Sequence, residues 1–247
     1  MKLAAIYNTW DADYFLPFSI AQIKAHVDEV IVVYQTTSNL GEQYAPMIPN
    51  EVVKYHYQPN LSQSPTWNET RKRNIGLGIA TDLGCTHFIS MDCDEFYDTN
   101  EFAQYKSRAV EFDSSACKMY TYYKYPFVRI SPIESYYVPF INKIYKDTAL
   151  GKTKYPVLVD PTRSVSTCKQ FYQIDRPIMH HMSWVRRDIE QKLRNSSASI
   201  RWKSRIPEMV QLFNDFEIAK KMAMFDQFHY VYTEDKFNLT QILQIGC

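Results

Sequence analysis

Residues 86–97 read Thr86-His87-Phe88-Ile89-Ser90-Met91-Asp92-Cys93-Asp94-Glu95-Phe96-Tyr97. Phe88, Ile89 and Met91 belong to a short, mostly apolar run that stops in three acids, Asp92, Asp94 and Glu95. A short apolar run closed by turn chemistry reads as a buried strand. Open α/β sheets bind ligands at the carboxyl ends of their strands, so the acids fall where a ligand would sit. Side chains two apart on a strand point the same way, which lets Asp92 and Asp94 share one hard cation. Two buried carboxylates alone would repel and resist ionisation. A divalent cation removes that conflict, and carboxylate oxygens suit Mg²⁺ or Mn²⁺. The same residues also fit an acidic turn that simply closes a strand.

Working back from this stretch, residues 64–84 read as the helix that feeds it. Ser64-Pro65 fits a cap followed by proline at the first helical position, and Thr66 with Glu69 fits a capping box. Ile75, Ile79, Ala80 and Leu83 give an apolar face, and Gly84 is a stop. Residues 3–7, 30–34 and 52–57 read as three earlier strands. Leu16, Ile20, Ile23 and Val27 recur at helical spacing between the first two. The order is strand, helix, strand, loop, strand, helix, strand, which implies a parallel, doubly wound sheet. Neither GxGxxG nor GxxxxGK[ST] occurs, so a dinucleotide Rossmann domain or a P-loop enzyme is not expected.

Downstream the pattern changes. Residues 100–112 read as a helix, 116–130 as an aromatic, β-prone stretch and 136–145 as another strand. Residues 157–165 carry Asp160-Pro161-Thr162-Arg163. Helices are expected over 184–193 and 207–224, the latter with Val210, Phe213, Ile218 and Met222 among its apolar positions. The expectation is one domain over 1–247, with 1–97 as a ligand-binding half and 98–247 as a mixed lobe.

With 45% hydrophobic and 22% charged residues, a full core is expected. A net charge of +1 argues against a globally basic nucleic-acid binder but leaves room for a local basic patch. The five cysteines show no metal or redox spacing and read as free thiols of a reducing compartment. No stretch approaches the roughly 20 apolar residues that span a bilayer. A cytoplasmic protein is expected.

Three features coincide: Glu69-Thr70-Arg71-Lys72-Arg73-Asn74-Ile75-Gly76-Leu77, Met91-Asp92-Cys93-Asp94-Glu95-Phe96, and Met179-His180-His181-Met182-Ser183-Trp184-Val185. Together they resemble the GT-A glycosyltransferases, in particular small family-2-like members of bacterial or viral type. Those carry an Arg-Asn-x-Gly-Leu helix before a DxD motif at a strand end. The resemblance is continuous over residues 1–97, and the histidine motif lies outside that span.

The resemblance implies a GT-A fold and a metal-dependent enzyme that moves a sugar from a nucleotide-diphosphate donor, UDP-linked by expectation, to an acceptor hydroxyl. Asp94 would hold the metal, and Asp92 would contact the ribose or the metal through water. A late histidine would complete the site. Imidazole favours Mn²⁺ over Mg²⁺. Neighbouring strand residues face opposite ways, so one of His180 and His181 should reach, and His181 is preferred. Arg73 is expected to support the nucleotide. Arg71 and Lys72 read as a solvated face. Asn8, Thr9 and Asp11 are candidates for holding the nucleoside.

A catalytic base is sought in Asp160, with Glu95 as an alternative that shapes the loop or faces the acceptor. Asp160 also fits a plain turn before proline.

The acceptor is expected to be a saccharide, with hydroxymethylated DNA as a viral-type alternative, in which case the host cytoplasm is the site. Arg186, Arg187, Lys192, Arg194, Arg201, Lys203 and Arg205 would then meet phosphates. Tyr120, Tyr122, Tyr123, Tyr125 and Phe127 would stack on a sugar or an extruded base. A non-catalytic carbohydrate- or nucleic-acid-binding module is the rival of another class.

Overall fold

The computed structural model describes residues 1–151, 155–197, 199–216 and 228–244. The chain divides into two compact units. Unit 1 comprises Met1–Met119 and Ser135–Met179, and unit 2 comprises Tyr120–Glu134 and His180–Cys247. The division therefore does not fall at residue 97.

In unit 1, β1 (Leu3–Thr9), β2 (Glu29–Tyr34), β3 (Val53–His56) and β4 (His87–Asp92) form a parallel sheet in the order β3-β2-β1-β4. This is the expected doubly wound arrangement, and β1 is buried along its whole length. Helix α1 (Leu16–Ile23) covers one face, where Tyr7 Oη and Ser19 Oγ are 3.0 Å apart. Helix α2 (Pro65–Asp82) covers the other. Ser64 caps it by accepting from the Trp67 amide, and Gly84 follows it at a φ of +73°.

A two-residue turn, Cys93-Asp94, leads from β4 into β5 (Glu95–Phe96). Helix α3 (Thr99–Ala109) starts at an Asp98 cap. Strand β6 (Ser114–Tyr123) begins in unit 1 and ends in unit 2, where β7 (Val128–Ser131) pairs with it. Strand β8 (Tyr137–Lys143) returns to unit 1 and runs antiparallel to β4 and β6, with short β9 (Phe171–Gln173) parallel to β6. The sheet is thus mixed and mostly parallel, with helices on both faces.

The packing of α2 is unusually close. A Cβ added at Gly76 would lie 2.3 Å from Ile6 Cγ2 and 3.3 Å from Val33 Cγ2. Gly76→Ala is expected to destabilise the protein by about 1–3 kcal/mol through overpacking, despite alanine's better helix propensity. Urea denaturation checks this, and an unchanged midpoint would mean that the helix can lift off the sheet freely.

Unit 2 contains β10 (Met179–Trp184, from His180 onward), α4 (Ile189–Asn195), α5 (Ser199–Trp202), α6 (Ile206–Asn214), β11 (His229–Tyr232) and α7 (Thr240–Gln244). Strand β11 pairs antiparallel with β7. Tyr123, Val128, Ile130, Trp184, Leu193, Met209 and Phe213 share one core. The expected helix over 184–193 is corrected here. Residues 179–184 alternate as a strand, and the helix starts only after Asp188, whose side chain accepts from the Gln191 amide. Residues 217–224 of the last expected helix lie outside the described residues. Cys85, Cys93, Cys117 and Cys168 are reduced thiols. No helix of the described residues is long and apolar enough to cross a membrane.

Candidate active site

The carboxyl ends of β1, β2 and β4 converge in unit 1. Asn8 pairs in register with Asp92, and Ile6 with Ser90. Gly76 meets Ile6 and Val33, so these side chains mark the face covered by α2. Alternation then places Asn8 and Asp92, and Gln35 just beyond β2, on that same face.

Arg73 of α2 is completely buried there. Its Nε donates to Thr162 Oγ1 at 3.2 Å, and its Nη1 to Ser90 Oγ at 2.9 Å. Its Nη2 donates to Glu69 Oε1 at 2.9 Å and to Asp92 Oδ1 and Oδ2 at 3.0 and 3.2 Å. Arg73 was expected to support the nucleotide, and its contacts place it behind Asp92. All three of its nitrogens are bonded to protein groups, and it positions Asp92.

Arg163 is the second organiser, and the sequence reading assigned it nothing. Its Nη2 donates to Asp92 Oδ2 at 2.5 Å, and its two terminal nitrogens grip Glu95 at 2.5 and 2.9 Å. Glu95 is only 2% exposed and also accepts from the Asp92 amide at 3.0 Å. The Glu95 carboxylate anchors Arg163 and closes the turn. Burial alone would push the Asp92 carboxyl up, but the Arg163 and Arg73 guanidiniums outweigh it and hold Asp92 below the ordinary carboxylate range. Burial pushes Glu69 up in spite of Arg73.

Strand β4 ends at Asp92, so Cys93 and Asp94 lie in the turn and strand alternation does not carry on to Asp94. Asp94 is buried. Asp94 and Asp92 supply the oxygen chemistry that a hard cation takes, but both Asp92 oxygens already accept from arginine. Among the described residues, no three His, Cys, Asp or Glu side chains form a metal-holding group.

Asp160 caps a 3-10 turn, Pro161–Arg163. Its Oδ1 accepts from the Thr162 amide at 2.8 Å and from Thr162 Oγ1 at 2.9 Å. Thr162 Oγ1 in turn accepts from Arg73, so one hydroxyl links the turn to α2. The Asp11 carbonyl accepts from Cys93 Sγ at 3.2 Å and from Thr9 Oγ1 at 3.5 Å, which sets the loop after β1 against the acidic turn. Ala12 follows at a φ of +56°, an uncommon conformation for a residue with a Cβ.

Asn8 Nδ2 and Oδ1, Trp10 Nε1 and Gln35 Oε1 are buried with no hydrogen-bond partner. Buried polar groups are nearly always satisfied, so the orphaned atoms of Asn8 and Gln35, at the carboxyl ends of the adjacent strands β1 and β2, mark a place for a ligand or water. Asn8 was named from the sequence, whereas Gln35 and Trp10 were not. Only its place at a strand end could have pointed to Gln35.

His180 and His181 belong to unit 2. His180 is buried, with its Nδ1 2.7 Å from Tyr122 Oη and its ring packed against Tyr120, Tyr122 and Phe237. His181 is partly exposed. Much of the basic run is engaged internally. Arg186 donates to backbone carbonyls, Arg187 to the Ile242 carbonyl, Arg194 pairs with Glu190, and Arg205 pairs with Glu208.

No protein-family model matches the sequence, and no curated protein does. Among solved structures the chain is similar to S. aureus TarS 1–349, at 13% identity and a TM-score of 0.44 over 89% of this chain and 73% of that one. It is also similar to a longer S. aureus TarS at 13% identity and a TM-score of 0.46, over 88% of this chain and 44% of that one. A third is mannose-1-phosphate geranyltransferase from Thermus thermophilus, at 10% identity and a TM-score of 0.32, over 59% of this chain and 51% of that one. TarS has been crystallised with UDP and with UDP-GlcNAc. Identity this low fixes no residue correspondence. The chain's own architecture is a mostly parallel mixed α/β sheet flanked by helices, with an acidic turn closing β4.

Proposed function

We propose that this chain is a glycosyltransferase that takes a sugar from a nucleotide-diphosphate donor, UDP-linked by preference, and passes it to a saccharide hydroxyl. The observation that carries the reading is the pairing of orphaned polar atoms on Asn8, Trp10 and Gln35 with the Asp92–Asp94 turn at the carboxyl ends of parallel strands. Asn8 and Gln35 would bind the nucleoside. Asp92, immobilised by two arginines, would accept a hydrogen bond from a ribose hydroxyl. Asp94 would hold Mn²⁺ or Mg²⁺, which when bound supplies Lewis-acid stabilisation of the leaving diphosphate. Asp160 would take the proton of the acceptor hydroxyl. Its Oδ1 is used by Thr162, while Oδ2 has no partner among the described residues.

The test is a thermal-shift and product screen of the purified protein with Mn²⁺ and a panel of nucleotide sugars. A UDP-sugar is expected to raise the melting temperature and to be hydrolysed slowly without acceptor. No shift with any nucleotide sugar would overturn the proposal.

A further inference from the structure

Lys72 was expected on a solvated face, yet it is only 6% exposed. Asn68, Lys72 and Gly76 are spaced four apart, so they share the stripe of α2 that faces the sheet, and all three are buried. Gly76 sits on Ile6 of β1. In a parallel strand–helix unit the helix runs back against the strands, so one turn earlier along α2 lies one step further toward the carboxyl end of β1. That step brings Lys72 to the level of Asn8.

Among the described residues Lys72 makes no hydrogen bond and no ion pair. Arg73 and Arg163 are already spent on Glu69, Asp92 and Glu95. Burial pushes the Lys72 ammonium below the ordinary lysine range, against the pull of Glu69 and Asp92. A buried amine with no hydrogen-bond partner is costly, and Asn8 and Gln35, at the same end of the sheet, are also short of partners.

We infer that Lys72 is a further donor-binding residue, whose ammonium takes a phosphate oxygen of the nucleoside diphosphate beside the Asn8 and Gln35 amides. The inference rests on the nucleotide-donor reading above. An anion drawn to this end of the sheet would otherwise meet the acids of the β4 turn, and Lys72, unlike Arg73 and Arg163, has no hydrogen bond to a carboxylate among the described residues.

The experiment is calorimetric titration of wild type, Lys72→Met and Lys72→Arg with UDP, uridine and pyrophosphate in the presence of Mn²⁺, together with melting curves of the unliganded proteins. Lys72→Met is expected to weaken UDP and pyrophosphate binding by about 10- to 100-fold, the range of a charge-assisted hydrogen bond. Uridine binding should not change, and Lys72→Arg should restore part of the loss. Melting curves of the unliganded proteins separate a folding defect from a lost phosphate contact, because Lys72 also compensates Glu69 and Asp92 in the interior. Wild-type UDP binding with no change in Lys72→Met would overturn the inference and spare the donor reading. Equal weakening of uridine and UDP would overturn the phosphate contact. A wild type that binds no nucleoside diphosphate would overturn both.

Discussion

Replacement of Arg163 by methionine is expected to lower the unfolding free energy by about 3–5 kcal/mol, the cost of removing one partner of a buried ion pair. Glu95 would be left in the interior without its counter-ion, and Asp92 would lose one of its two guanidiniums. The pairing is bidentate toward Glu95, which is the strong geometry for arginine and carboxylate. Urea denaturation followed by circular dichroism measures the loss. A change under about 1 kcal/mol would place the network with exposed pairs that contribute little. The pH dependence has a definite sign. Asp92 has a depressed carboxyl in the folded protein, so it binds protons less readily folded than unfolded. Its stabilising contribution is complete above the unfolded carboxylate range near pH 4 and is lost as pH falls through the folded value. Part of that acid sensitivity should disappear in Arg163→Met.

The second large effect is expected at Asp94. Asp94→Ala should reduce donor hydrolysis and transfer by at least about 100-fold, the scale of a lost electrostatic contact to developing charge. A melting curve of Asp94→Ala accompanies the assay, so that lost turnover is read against the folded fraction. Mn²⁺ binding followed by electron paramagnetic resonance supplies a readout separate from turnover. Activity retained within a few-fold would remove Asp94 from the centre of the site. Asp92→Asn differs in kind, since it would lose activity and stability together.

The parallel half of the fold was legible because its signals are local. Ser64 and Pro65 start α2, Gly84 ends it, and apolar runs mark β1, β2 and β4. The acidic turn was legible for the same reason, and so was the placing of Asn8 and Asp11 at a strand end. Arg163 was not, because it reaches Asp92 across 71 residues from a proline-containing turn with no periodicity of its own. Lys72 and Arg73 misled in opposite directions. A charged residue on a helix usually faces water, yet both are buried, one fully bonded and the other not. Asp94 shows the limit of alternation, because the chain turns one residue before the period would have placed it. Residues 179–184 carry no β-branched residue, so local propensity did not mark them as a strand.

The contact between Gly76 and Ile6 also sets an angle. A helix turns about 100° per residue, and the absence of a side chain at Gly76 lets α2 seat on β1 in one rotational setting. Arg73 lies three positions before Gly76 and Lys72 four, so the seat acts as a fixed point from which both cations are aimed. Inserting or deleting one residue between 73 and 76 would leave the composition and helix propensity of α2 almost unchanged. It would nonetheless swing Arg73 away from Asp92 and Lys72 away from the strand ends. The glycine is a keyway: it transmits no force to a ligand, but it decides which way the charges of α2 point.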